Sequence, residues 1–324
     1  MALTQRDSLN PTSLSVGARL SRATVGLAMA ALQDQYALDQ AAAFDMLRDV
    51  SQRHNVKLRV VAAGMVSPHV GTLSRHATAC PPLPFTVAGR ACATRSEVLA
   101  ELMRVAVSRS GAQRGSVQLH DHVHGGLQLE GSRGFSQDFA DIFSYVRGDD
   151  TACGHAFSDG AQVVVTDVAK SPLFSESARE TLLAHEVHSC VSTPIVDNDG
   201  QVWGIVSTHQ GRRDAIPTDA DLRQLRRMAG QSGQWLRWYD RTVLPDVVAA
   251  VHDAAAKAHC GGSGRSANLA DPPATIARAA QLLTDRYGVD QRHSRQMLVA
   301  IAARRGVSLL ALAAQLTAGI DQPG

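Results

Sequence analysis

Apolar residues recur with helical spacing over residues 14–36, and Ala37-Leu38 interrupts the pattern. Asp39 has the chemistry of an N-cap for a second helix, whose core face reads Ala43, Phe44, Met46, Leu47 and Val50. Asn55 is the next helix-start candidate, ahead of Leu58, Val61, Ala62 and Met65. Pro68, Pro81, Pro82 and Pro84 mark residues 67–94 as a linker. A helix from Ser96, carrying Val98, Leu99, Leu102, Met103, Val105 and Ala106, then gives way to period-two alternation. Strands are predicted at Ser116-Val117-Gln118-Leu119 and Leu127-Gln128-Leu129-Glu130, joined across Gly125-Gly126. Three more follow, at Gln162-Val163-Val164-Val165, Ser189-Cys190-Val191-Ser192 and Val202-Trp203-Gly204-Ile205-Val206-Ser207. Asp197-Asn198-Asp199-Gly200 reads as the hairpin turn between the last two. A helix over residues 219–239 closes an α+β unit with an antiparallel sheet. A separate helical stretch at 243–259 and a Gly/Ser/Pro linker at 261–273 lead to a last helical segment.

The two ends of the chain repeat each other. Residues 28–63 align with 279–314 at a constant offset of 251, with 13 of 36 positions identical. The shared register includes Asp34/Asp285, Tyr36/Tyr287, Asp39/Asp290 and Gln40/Gln291. Each copy therefore reads as three short helices. In the second, Gly288 ends helix one, Asp290 caps helix two, and Gly306 to Ser308 opens helix three. Such bundles are too small to enclose an enzyme pocket. The domain plan is 14–66, a linker at 67–94, 96–240, a helix and linker at 241–273, and 274–318.

Composition narrows the classes. The 324 residues carry 32 basic and 30 acidic side chains, so a nucleic-acid surface has to be local. Only Lys57, Lys170 and Lys257 among those cations are lysines; arginine's planar fork suits phosphate, but codon bias is the simpler explanation of the excess. Each end carries a net charge of +2 and the middle −2, the distribution expected if a polyanion meets the ends. Five scattered cysteines without a Cys-x-x-Cys pair read as reduced cytoplasmic thiols. No apolar run reaches the ~18 residues of a membrane span. The chain is expected to be soluble and cytoplasmic, with no membrane partner.

The first copy contains Ala43-Phe44-Asp45-Met46-Leu47-Arg48 and, seven residues on, Asn55-Val56-Lys57-Leu58-Arg59-Val60-Val61-Ala62. These motifs and their spacing resemble the ANTAR domain, an RNA-binding module of bacterial transcription antiterminators. The second copy resembles it more weakly: Phe44 becomes Arg295, Arg48 Val299, Asn55 Gly306, Lys57 Ser308 and Arg59 Leu310. The middle resembles a GAF domain through Thr151-Ala152-Cys153-Gly154-His155, Val163-Val164-Val165-Thr166-Asp167-Val168, Ser192-Thr193-Pro194 and Gly204-Ile205-Val206-Ser207-Thr208-His209. The fold class expected is thus α+β: a central GAF-like antiparallel sheet with flanking helices, plus an N-terminal and a C-terminal three-helix ANTAR-like bundle.

That resemblance implies a regulator that holds paired hexaloop stem-loops in a leader transcript, so that the competing terminator hairpin does not form. The GAF unit would act as sensor or dimerisation module with a small-molecule ligand that the sequence does not name. The candidate RNA-binding residues are Arg48, Arg53, Asn55, Lys57 and Arg59 in the first copy. Arg286, Arg295, Arg304 and Arg305 are the candidates in the second. The cations would take phosphates, while Asn55 would read a base edge or cap a helix. Tyr36 and Tyr287 read as core packing rather than base stacking. Two copies in one chain make an intrachain pair the expected grip on tandem stem-loops, with a homodimer as the other assembly.

No catalytic site, cofactor or metal is expected. His120, His122 and His124 alternate and would share a strand face, but they precede a turn where exposed polar residues are ordinary. His185-Glu186-Val187-His188 is one residue short of the zincin spacing, and Cys153-Gly154-His155 reads as a strand entry. Two rival functions remain. In a DNA-binding regulator, helix three would enter the major groove, which the nearly all-apolar stretch 309–316 opposes. The other is a sensory adaptor with no nucleic-acid contact.

Overall fold

In this computed structural model the described residues are 14–67, 79–87, 93–261, 272–305, 312–313 and 316–317. Helices α1 (Val16–Tyr36), α2 (Gln40–His54) and α3 (Leu58–Val66) come first. Asp39 caps α2 as the sequence implies, accepting from the Ala42 N–H at 2.8 Å. Ala37, at φ 51°, provides the left-handed break after α1. Asn55 departs from expectation. It is the left-handed C-cap of α2 (φ 51°, ψ 43°), and Lys57 occupies the N-cap position of α3. Asparagine tolerates that conformation far better than most side chains, which lets α2 close and α3 open within three residues.

The middle of the chain builds one antiparallel sheet in the order β3-β2-β1-β6-β5-β4. Its strands are β1 (Arg114–His120), β2 (Leu127–Arg133), β3 (Tyr145–Val146), β4 (Val163–Val165), β5 (Ser189–Val196) and β6 (Val202–Gln210). A bulge between Val117 and Gln118 shifts the β1–β2 register. Helix α4 (Arg95–Ser110) lies on one face, close enough that a Cβ on Gly115 would sit 2.5 Å from a Val107 methyl. Helices α5 (Gln137–Ile142), α6 (Ala152–Asp159) and α7 (Glu176–Ala184) cover the other face. There Phe139, Ala152, Val165, Val168, Phe174, Leu182, Val187 and Cys190 form a continuous apolar cluster. Cys153 and Gly154 belong to α6, not to a strand entry, because Thr151 accepts from the Gly154 N–H and starts a helix there. Glycine is required at 154, where a Cβ would stand 2.2 Å from the Gly148 carbonyl oxygen.

A single helix, α8 (Asp219–Gly261), replaces the two separate helices expected between 219 and 259. It runs through Pro245, whose missing N–H forfeits one helical hydrogen bond. Its distal residues Leu244, Val247, Val251 and Ala255 are buried at helical spacing, and packing on that stripe offsets the proline. Gly64 of α3 is the contact point, since a Cβ there would lie 3.0–3.1 Å from Val248 and Leu244. Tyr36 of α1 completes the contact, its hydroxyl 3.1 Å from His252 Nδ1. The N-terminal helices are therefore finished by α8, not by themselves alone.

Helices α9 (Pro272–Tyr287) and α10 (Gln291–Arg305) repeat α1 and α2 closely. At the offset of 251, α10 begins and ends where α2 does, Gly288 (φ 64°) stands for Ala37, and Asp290 caps α10 through the His293 N–H. The buried positions correspond too: Ala28/Ala279, Leu47/Leu298, Val61/Leu312 and Ala62/Ala313. The third helix expected around 309–316 lies mostly outside the described residues. Most of the expected linkers at 67–94 and 261–273 do as well.

Candidate functional site

Helix α2 buries Ala43, Leu47 and Val50 and turns its other side to solvent. Phe44, expected in the core, is on the outer side and 38% exposed. Arg48 stands one turn later on the same side, exposed, with its guanidinium 2.9 Å from Asp45 and 3.1 Å from Asp49. Gln52 continues that row. Arg53 is exposed in the last turn, but five residues from Arg48 places it about 140° around the helix axis. Lys57 and Arg59 are half-buried at the α2–α3 junction. The five candidates thus divide into a helix row around Arg48 and a junction group of Arg53, Asn55, Lys57 and Arg59. Phe44 was legible only as a helical position at the margin of the apolar stripe.

In the second copy, Arg286 and Arg295 are exposed, and the Arg286 guanidinium lies 5.9 Å from the centre of the Tyr287 ring. Arg304 and Arg305 end α10, and their side chains lie outside the described residues. Tyr287 corrects the core reading: it is 57% exposed, whereas Tyr36 is buried against His252. Positions 44 and 48 are aromatic and cationic; their counterparts Arg295 and Val299 are cationic and apolar, and also exposed. The second copy thus pairs a cation with an aliphatic side chain there and has no aromatic ring at either position.

The sheet lines a second feature. The side chains of Ser116, Gln118, Ser192 and Ser207, on alternate strand positions, form the floor of a cavity of about 30 Å³. Phe139, Phe143, Phe174 and Leu182 form its roof. The thiols of Cys153 and Cys190 face it as well. Burial pushes both up, Cys190 to about 12, so both are protonated thiols at neutral pH. His209 also lines the cavity, with Nε2 3.4 Å from the Ser116 hydroxyl and Nδ1 buried without a hydrogen-bond partner. Burial lowers this imidazole to about 4, assisted by the charge of Arg114, and so it is neutral at physiological pH.

The alternating histidines do not share a strand face. His120 is the last residue of β1, while His122 and His124 sit in the turn beyond it. Among the described residues no group of three or more His, Cys, Asp or Glu is arranged to hold a metal ion. No described helix is long and apolar enough to cross a membrane.

The ANTAR domain family model matches residues 17–66, and the GAF domain model matches 94–235. An ANTAR domain precedes a GAF domain in this chain. ANTAR domains point to RNA-binding antitermination control and GAF domains to sensing; both are regulatory modules rather than catalytic ones. Neither match extends past residue 235, so the kinship of α9 and α10 to the ANTAR copy rests on the internal repeat. No curated protein matches the chain. Among solved structures, the cyanobacteriochrome TePixJ GAF domain is 18% identical, covering 48% of this chain and 98% of its own, with a TM-score of 0.39. A GAF domain/HD domain protein from Geobacter sulfurreducens is 18% identical over 48% of this chain and 93% of that one, at a TM-score of 0.35. The type II free methionine-R-sulfoxide reductase from Thermoplasma acidophilum is 17% identical over 49% and 92%, at 0.34.

Proposed function

We propose that this protein is an RNA-binding antiterminator that grips paired hexaloop stem-loops in leader transcripts, with its GAF domain as the sensor. The observation that carries the reading is the outer row of α2, where an aromatic ring, an arginine and an amide stand exposed at helical spacing. A hairpin loop presents unstacked bases and converging phosphates. Phe44 offers a face for one base, Arg48 a fork for phosphate, and Lys57 and Arg59 further positive charge at the junction. The carboxylates of Asp45 and Asp49 hold Arg48 only at the surface, where such pairs are weak and a phosphate can displace them. In the second copy, Arg286, Arg295 and Tyr287 are the exposed groups for a second stem-loop.

The test is a gel-shift titration of tandem hexaloop RNA at fixed, near-physiological salt, with loop-scrambled RNA and duplex DNA as controls. Loop-dependent binding that falls at least tenfold in an Arg48→Ala/Lys57→Ala double variant is expected, together with a salt slope shallower by about 1 to 2. Binding that survives the substitutions would move the main site to α9 and α10. Equal binding of DNA would replace this reading with a DNA-binding regulator.

A further inference from the structure

The cavity under the GAF sheet is lined by uncharged groups. Its lining contains no arginine, lysine or carboxylate, and the one titratable base facing it, His209, is neutral. An anion would have to leave water with no charged side chain in the lining to pair with it, which disfavours a buried ion. Phosphorylated nucleotides and small inorganic anions therefore do not suit it.

The same lining is amphipathic. The phenyl rings and Leu182 form an apolar roof over a floor of hydroxyls, and most of that floor is already satisfied. Ser192 and Ser207 bond each other at 2.9 Å, and Gln118 donates to the Phe143 carbonyl at 3.3 Å. His209 is the exception. It is 8% exposed, and its Nδ1 has no protein partner, an unfavourable arrangement for a buried polar atom. A volume of about 30 Å³ admits roughly two waters or a molecule of a few heavy atoms.

We propose that the cavity is a binding site for a small uncharged amphipathic molecule, of the size and chemistry of a short-chain alcohol or amide, held by one hydrogen bond to His209 and by contact with Phe139, Phe143 and Phe174. This deepens the sensory reading by naming the class of signal, and it rests on that reading for its regulatory meaning. The hydroxyl or amide of the ligand completes His209, and its methyl groups meet the rings. So small a ligand binds weakly, in the high micromolar to millimolar range, because binding energy scales with heavy-atom count.

The test is a titration of the full-length chain, with ¹⁵N-labelled histidine and ¹³C-labelled methyl groups, against isopropanol, acetamide, sodium nitrate and sodium phosphate, each to 50 mM, followed by NMR. Saturable shifts of the His209 ring and Leu182 methyl signals with isopropanol or acetamide, and none with either anion, are expected. The His209→Phe variant should weaken the response at least tenfold, and Val164→Ala, an exposed position outside the lining, should leave it within about threefold. Saturable binding of nitrate or phosphate, or non-saturating solvent-like drifts with both neutral probes, would overturn the proposal. Should His209→Phe fail to fold, the wild-type preference for neutral over anionic probes decides the matter by itself. No RNA is present, so failure here leaves the gel-shift result standing, and the reverse also holds.

Discussion

Phe44 and Leu47 are three residues apart on the same helix, yet they do opposite work. Leu47 is fully buried, and truncating it to alanine should cost about 2–5 kcal/mol of stability through lost contacts and a cavity. Phe44 is partly solvated, so Phe44→Ala should change stability by less than about 1 kcal/mol while weakening hexaloop RNA binding by about 1–3 kcal/mol. Chemical denaturation beside the gel shift separates the two, and a large stability loss for Phe44→Ala would return it to the core. Both residues read equally well as core in the sequence, because an apolar stripe has margins that periodicity does not resolve. Asn55 was ambiguous for a related reason: asparagine is favoured both at N-caps and in left-handed C-caps, and only the neighbouring helix ends choose between them.

Among the elements, the five predicted strands were located well, the short β3 was missed, and the faces of the strands were not resolved. Ser116, Gln118, Ser192 and Ser207 alternate with apolar residues, a pattern that ordinarily turns its polar side to water. Here helices cover both sides of the sheet, and the polar side faces the cavity. The β5–β6 turn shows how local chemistry and packing combine. The carboxylate of Asp197, 2% exposed, accepts from the N–H groups of Asp199 and Gln201 and from Trp203 Nε1, while Arg237 of α8 lies 3.6 Å away. The same helix presses so closely that a Cβ on Gly233 would stand 2.5 Å from the Val196 carbonyl oxygen. Gly233→Ala should therefore cost about 1–3 kcal/mol and lower Tm by several degrees in a thermal melt, although alanine is intrinsically the better helix former. A stabilised Gly233→Ala variant would show that this contact is looser than described.

For the whole molecule, the decisive feature is that the distal half of α8 belongs to the core of the N-terminal helices. His252 is half-buried there against Tyr36. Burial lowers it to about 4, reinforced by Arg295 and opposed by Asp253. Because the folded value lies below the usual 6.5, the unfolded chain takes up this proton first as pH falls. Its contribution is complete above about pH 6.5 and is lost progressively towards pH 4. Urea unfolding at pH 7 and pH 5 should differ by about 2 kcal/mol more in the wild type than in His252→Phe, and equal pH dependence in the two would refute the assignment. The sequence by itself determined the order of the ANTAR and GAF domains, the caps Asp39 and Asp290, the helix breaks at Ala37 and Gly288, and the register of the repeat. Those features depend on each residue's preference for a backbone conformation or a hydrogen bond a few positions away. Only the tertiary structure decided that Phe44 faces outward, that Tyr36 is buried while Tyr287 is exposed, that α8 continues through Pro245, and that the polar strand faces line a cavity. Periodicity shows that a face exists, but what covers it is settled by segments far along the chain.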